Sequence, residues 1–298
     1  MKLQNGAWMG VVFVIFLTPF AEAQPQPSPA GGNYLALDGV DDYAVLDLKT
    51  FGILLPKGTD EFTVEAWVYP TTPPDKDTEA VILSQQVRMR VVSDDNVAYQ
   101  WIKKDIDWPK GDLLLITDAH VAGRGGDAVT PFFPITIPPN QWHHIAFQAK
   151  GKQTTTIVDN LAKTMGQGTI IGDDLSKFWR PKDFVLGGFG GKIQPPNVLN
   201  FFWGSFAGYI DEVRISTVAR YDVAKPVLPP REKFKSDEKT VALWHFDEPG
   251  GTRQFSDSSG NESVLIGENG ATVRGPLVVE PHQRLTTSWG AIKANRER

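Results

Sequence analysis

The segment Glu61–Pro70 (EFTVEAWVYP) alternates with a period of two: Phe62, Val64, Ala66 and Val68 fall on one face, and Thr63, Glu65, Trp67 and Tyr69 on the other. Alternation of this kind, rich in β-branched and aromatic residues, marks a half-buried strand. Pro70, Pro73 and Pro74 bring it to a stop. Further strand-like runs lie at residues 34–37, 43–48, 80–92, 97–102, 113–116, 142–149, 154–158, 184–186, 209–216 and 241–246. No segment carries a long apolar stripe at helical spacing, and the one helix-like turn is residues 217–223. Strands without intervening helices predict an all-β fold, a two-sheet antiparallel β-sandwich. The 28 glycines and 22 prolines supply turns, and a 41% hydrophobic content suffices for a sizeable core.

The ends read differently. Lys2 followed by an apolar stretch at 7–20 and Ala21-Glu22-Ala23 has the form of a signal peptide over residues 1–23, with cleavage before Gln24. The apolar stretch is shorter than the roughly 20 residues a membrane-spanning helix needs. Export is therefore expected, to a periplasm or out of the cell, with no membrane-spanning segment. Residues 24–32 (QPQPSPAGG) read as an extended, mobile linker. The folded unit is expected over 33–275, and residues 276–298, with Arg284, Lys293, Arg296 and Arg298, as a polar disordered tail.

A net charge of −5 argues against a broad nucleic-acid footprint. The chain has no cysteine, which excludes disulfides, thiolate metal sites and a cysteine nucleophile.

Five segments in order resemble the laminin G-like jelly-roll family of the concanavalin A-like lectin/glucanase superfamily. They are YLALDGVDDYAVL (34–46), FTVEAWVYP (62–70), NQWHHIAF (140–147), FAGYIDEVRISTVARY (206–221), and ALWHFDE (242–248) followed by DSSGN (257–261). The resemblance implies a concanavalin A-like jelly roll with its first and last strands close together. It says less about function, because this fold hosts lectins, adhesion modules, hydrolases and spacers. Residues 93–139 depart from the family by being longer and richer in loops.

Asp38, Asp41 and Asp42 surround a Gly-Val turn in DGVDDY. Hard cations such as Ca²⁺ take six to eight oxygen ligands, which an acidic turn with free carbonyls can help supply. Asp211 falls on the period-2 face of Tyr209, Val213 and Ile215, where a carboxylate needs a partner. Related jelly rolls hold a structural calcium between an early and a late strand. The resemblance thus implies that Asp38, Asp41, Asp42 and Asp211 meet around one Ca²⁺. The alternative makes Asp38 and Asp41 turn formers and Asp211 an acceptor of backbone hydrogen bonds.

His143 and His144 are adjacent on a strand, so they point to opposite faces and cannot jointly chelate a metal. Trp67, Trp142 and Trp244 match core strands and read as packing residues. Tyr99, Trp101 and Trp108, beside Lys103, Asp105 and Asp107, form a candidate glycan platform, since sugars stack their C–H faces on aromatic rings. The same residues would equally serve to plug the sheet ends.

Retaining glycoside hydrolases need two carboxyls about 5–5.5 Å apart. In hydrolases of the resembled fold these come from one strand with E-x-D-x-E-like spacing. No such run occurs: Glu65 has Thr63 and Trp67 as same-face neighbours, Glu212 has Ile210 and Arg214, and Asp247 and Glu248 are adjacent and diverge. The expectation is a secreted, non-catalytic binding module for extracellular glycans. A protein-binding adhesion or structural module, with surface proteins as partners, is the alternative, and a polysaccharide-active glycoside hydrolase the second.

Overall fold

The computed structural model describes residues 25–100, 113–120, 128–129, 134–166, 170–171, 182–194 and 201–276. Strands are numbered along the chain. One sheet contains β1 (Tyr34–Asp38), β3 (Glu61–Pro70), β9 (His143–Lys150), β10 (Gln153–Val158), β11 (Leu161–Met165), β14 (Ala207–Ser216), β15 (Thr240–Trp244) and β18 (Thr272–Arg274). The other contains β2 (Tyr43–Leu46), β4 (Thr78–Ser84), β5 (Val87–Ser93), β6 (Leu113–His120), β7 (Ala128–Val129), β8 (Ile135–Thr136), β12 (Phe184–Leu186), β13 (Phe202–Ser205), β16 (Gln254–Phe255) and β17 (Leu265–Glu268). The first runs β11-β10-β9-β3-β14-β1-β18, with β15 also on β14. The second runs β16-β17-β2-β12-β4-β5-β6-β7, with β13 on β4 and β8 on β6. Every pairing is antiparallel except β13 with β4. The expected two-sheet sandwich of jelly-roll type is the observed fold.

The alternation in β3 does what its pattern dictates. Phe62, Val64, Ala66 and Val68 are all buried in one interior cluster with Ile145 and Phe147 of β9, Ile82 and Met89 of the facing sheet, and Trp244. The Phe62 and Phe147 rings lie 6.0 Å apart, and Phe184 stacks on Trp244 at 5.3 Å across the sandwich. The first and last strands of the described sheet are neighbours, with Tyr34 opposite Arg274.

Several sequence expectations are corrected. The run at 80–92 is not one strand but a hairpin, β4 and β5, turning at Gln85-Gln86. Both glutamines are buried, and their carbonyl oxygens accept from the Leu54 and Leu55 amides. Val97–Tyr99 forms a 3₁₀ turn capped by Asn96 in place of the expected strand. The described helix is α1 (Leu48–Phe51), capped by Asp47; residues 217–223 form an irregular strap instead. Residues 25–32 also differ from a free linker: Pro25 and Ser28 are buried, and the segment lies on the outer face of the first sheet.

A β-bulge decides which way β14 faces. The register with β3 shifts between Asp211 and Arg214, where Glu212 adopts a positive φ of 52°. Two residues then oppose fewer on the partner, and the alternation resets. Ile210 is interior before the bulge, and Val213 and Ile215 are interior after it. Tyr209 joins Tyr34 and Ala36 in a separate cluster on the other face. Asp211 therefore does not share a face with Val213 and Ile215. Gly208 permits the close strand approach nearby: at φ 148°, a Cβ there would stand 2.1 Å from the Tyr69 carbonyl oxygen.

The strap at 217–239 covers the outer face of the first sheet. Glu65 anchors it. Arg214 Nε and Nη2 donate to Glu65 Oε1 at 2.8 and 2.7 Å, and the Tyr221 hydroxyl donates to Glu65 Oε2. His144 Nε2 lies 3.1 Å from the same oxygen. Burial pushes the Glu65 carboxyl up, but His144, Arg214 and Tyr221 more than offset it and hold it below the usual carboxylate range. Arg214 also sits over the Phe234 ring at 4.6 Å.

Candidate functional site

The acidic turn begins where β1 ends. Asp38 Oδ1 accepts from the amides of Val40, Asp41 and Asp42 at 2.7, 3.3 and 3.3 Å, the pattern of an Asx turn. Gly39 has φ 78°, and a Cβ there would meet that of Ala207 at 2.5 Å, so only glycine fits. Asp42 is 6% exposed and accepts from the Asp38 amide at 3.1 Å and the Gly270 amide at 2.6 Å. Burial raises the Asp42 carboxyl above its ordinary value, against the Gly270 hydrogen bond and with the Asp38 and Asp41 charges adding to the rise. Ligand oxygens of Asp38, Asp41 and Asp42 lie within 4.8 Å of one another. Three clustered carboxylates suit one hard cation. Asp38 Oδ1 and both Asp42 oxygens also hold backbone amides, so the same residues shape the turn with no ion at all.

Asp211 does not reach this turn. Asp38 pairs with Ala207, and Asp211 lies four residues further along the strand, about 13 Å away at 3.3 Å per residue. Asp211 is fully buried; its Oδ1 accepts from the Glu212 amide at 2.8 Å, while Oδ2 has no hydrogen-bond partner of good geometry. Burial pushes its carboxyl well above the ordinary range, with the Ser28 side chain beside it acting in the opposite sense. One ion embracing all four aspartates, as the resemblance implied, is incompatible with this register.

Beside the turn opens a cleft of about 140 Å³ at the end of the first sheet. Asp38, Asp42, Thr71, Thr72, Gly208, Tyr209 and Arg274 are among the residues that line it. The strands explain the convergence: β1 is flanked by β14, which brings Tyr209, and by β18, which brings Arg274. Carboxylate acceptors, a guanidinium donor and hydroxyls in one cleft suit a small polar ligand with many hydroxyls. Sequence reasoning found the aspartates but missed Thr71, Thr72, Tyr209 and Arg274 as lining, because only strand order brings them together.

Of the expected glycan platform, Tyr99 is 6% exposed, and its hydroxyl donates to Glu79 at 2.6 Å. Trp101 and Trp108 lie outside the described residues. Tyr99 belongs to a buried polar network on the second sheet, where Arg90 donates to Glu79 at 2.8 Å and pairs with Asp118 at 2.8 Å. Arg88 packs over the Trp203 ring at 5.0 Å. Trp67 and Trp244 are buried, as packing residues, and Trp142 is half-buried at a sheet end. His143 and His144 point to opposite faces, His143 bonding Asp159 at 2.7 Å and the Pro138 carbonyl at 2.9 Å.

No helix among the described residues is long and apolar enough to cross a membrane. The model of a family described as the concanavalin A-like lectin/glucanases superfamily matches residues 38–222. No curated protein matches the chain. Among solved structures, it is similar to a Bacteroides ovatus protein provisionally described as carbohydrate-binding, at 18% identity and a TM-score of 0.54, covering 82% of this chain and 60% of that one. The chain thus spans under two thirds of that protein's length. It is also similar to a pentraxin of Limulus polyphemus (14% identity, TM-score 0.37, 79% and 94% covered). The LG4-5 domains of the mouse laminin alpha1 chain match at 13% identity and a TM-score of 0.37, with 72% and 50% covered. With more than half of its length inside the family model, the chain belongs to the concanavalin A-like lectin/glucanase superfamily, as a laminin G-like domain.

Proposed function

We propose that this protein is an exported, non-catalytic module that binds extracellular carbohydrate through the cleft beside the acidic turn. The observation carrying this reading is the lining: Asp38, Asp42, Arg274, Thr71 and Thr72 bring acceptors and donors to one small cleft that Tyr209 also lines. Hydroxyl-rich ligands need this density of convergent polar groups. The carbohydrate-binding description of the Bacteroides ovatus protein agrees in kind. The signal-like residues 1–23 support export, and the Asp38, Asp41 and Asp42 carboxylates support one calcium ion at the rim of the same cleft. A glycan array on the full chain, followed by titration of the best hit, tests the proposal. Arg274→Gln should weaken that hit about tenfold or more, the scale of one charge-assisted hydrogen bond, while leaving the melting temperature near wild type. Glycan binding indifferent to Arg274 and Asp38 substitutions would remove the cleft as the site.

A further inference from the structure

Four aromatic rings meet on the outer face of the first sheet. Tyr209 packs on Tyr34 at 5.0 Å and on Tyr69 at 5.8 Å, while Trp142 packs on Tyr69 at 5.6 Å and on Tyr34 at 5.7 Å. Strand order assembles them: β14 runs between β1 and β3, so Tyr209 stands between Ala36 and Tyr69 on one rung. Tyr209 also lines the cleft, which makes the cluster and the cleft continuous through one side chain.

Outward positions of a sandwich strand are ordinarily polar. Here Tyr34 and Tyr209 are buried, whereas Tyr69 and Trp142 are only half-buried. Two of the rings have their polar atoms engaged: the Trp142 indole donates to the Gln26 carbonyl at 2.8 Å, and the Tyr34 hydroxyl to the Gly275 carbonyl at 3.3 Å. The Tyr69 hydroxyl has no hydrogen-bond partner among the described residues, and burial alone raises its phenol above the ordinary value. Tyr69 is thus a ring held by two neighbouring rings, with part of its surface and its hydroxyl still to offer. An aromatic side chain already fixed in place loses little freedom when a ligand settles on it. The same strand connects it to the cleft. Beyond Pro70 the Thr71 amide continues the ladder, donating to the Ala207 carbonyl at 3.0 Å, and Thr71 is part of the cleft lining. Residues two apart on an extended chain share a side and lie about 7 Å from each other, roughly the span of one sugar ring.

We propose that the ligand is an oligosaccharide rather than a single sugar, with one unit in the cleft and the next laying its C–H face on Tyr69. This extension rests on the cleft being the carbohydrate site. It selects pyranoses with equatorial hydroxyls, whose ring faces carry only C–H groups. An axial hydroxyl would press a polar group onto the aromatic ring without a partner. The Tyr69 hydroxyl supplies the polar contact at the rim of the stacked unit.

The probes are glucose, cellobiose and cellotriose, titrated by calorimetry against the full chain. Wild-type affinity should rise about tenfold from glucose to cellobiose, the scale of one C–H face taken from water. Tyr69→Ala should abolish most of that gain, and Tyr69→Phe, which keeps the ring, should restore it. A β-linked galactose dimer, with its axial hydroxyls, should gain less. Arg274→Gln should weaken all the gluco-sugars, because they share the unit in the cleft. A gain with length that survives Tyr69→Ala, or no gain at all, overturns the extension even where the dependence on Arg274 upholds the cleft. Binding indifferent to Arg274→Gln removes the cleft and the extension with it, and so does failure of all three gluco-sugars to bind. A second measurement needs no variant: in saturation-transfer NMR of wild type with cellotriose, irradiating aromatic protons should mark the C–H protons of one sugar unit above the others. Equal marking of every unit likewise overturns the extension.

Discussion

Asp211 is fully buried with one oxygen unpaired, and its carboxyl is pushed well above the ordinary range. Between the unfolded value, about 3.9, and that raised value, the folded chain holds a proton that the unfolded chain has lost. This group's contribution is therefore most favourable in acid and declines as pH rises through the window. Asp211→Asn, a neutral isostere, should raise the melting temperature at neutral pH and flatten that decline, as followed by thermal melts from pH 4 to 8. A uniform loss at every pH would instead make the carboxyl itself structural. Glu65 has the opposite sign: its lowered value adds stability above the unfolded pKa that is lost as pH falls through the folded one. Arg214→Met leaves Glu65 buried beside His144 without its guanidinium and should cost about 3–5 kcal/mol by denaturant titration at pH 7. The sequence marked Asp211 as a carboxylate in need of a partner, and that need is real. Its face was misjudged because a bulge adds one residue to the alternation and leaves no compositional trace.

β3 shows why some elements were legible. Its ten residues alternate without interruption, and both β9 and β14 pair along most of them. Phe62 reaches the interior from this strand, so Phe62→Ala should cost about 3–5 kcal/mol in chemical unfolding, with the m-value unchanged if the sandwich persists. The β4–β5 hairpin was hidden because its turn, Gln85-Gln86, contains no glycine, proline, asparagine or aspartate to announce it; side-chain amides bonded to the Leu54 and Leu55 backbones hold it instead. The strands β16, β17 and β18 were missed because each is short and mixes glycine, polar or charged residues with apolar ones, whereas the equally short β12 is wholly apolar and stands out. The aspartates of the turn were visible as a local motif. Arg274 and Thr71, far away in sequence, join them only through the order of strands.

At the scale of the molecule, Asp38 and Asp42 belong both to the acidic turn and to the lining of the cleft, so a cation there and a ligand should be coupled. Calcium added to chelator-treated protein should raise the melting temperature, by the equivalent of about 2.7 kcal/mol at a hundredfold excess over its dissociation constant. Calorimetry with and without chelator checks this, and Asp41→Asn should diminish the response while Asp211→Asn leaves it intact. No calcium-dependent shift in the wild type would leave the three aspartates as turn formers alone. The neighbouring placement of β1 and β18 has a further, mechanical consequence. Residues 34 and 274 face each other at one end of an antiparallel pair, so tension applied to the two ends of the domain loads one rung at a time. A domain held at both ends would unzip from that edge under modest force, opening at its seam well before the interleaved interior gives way.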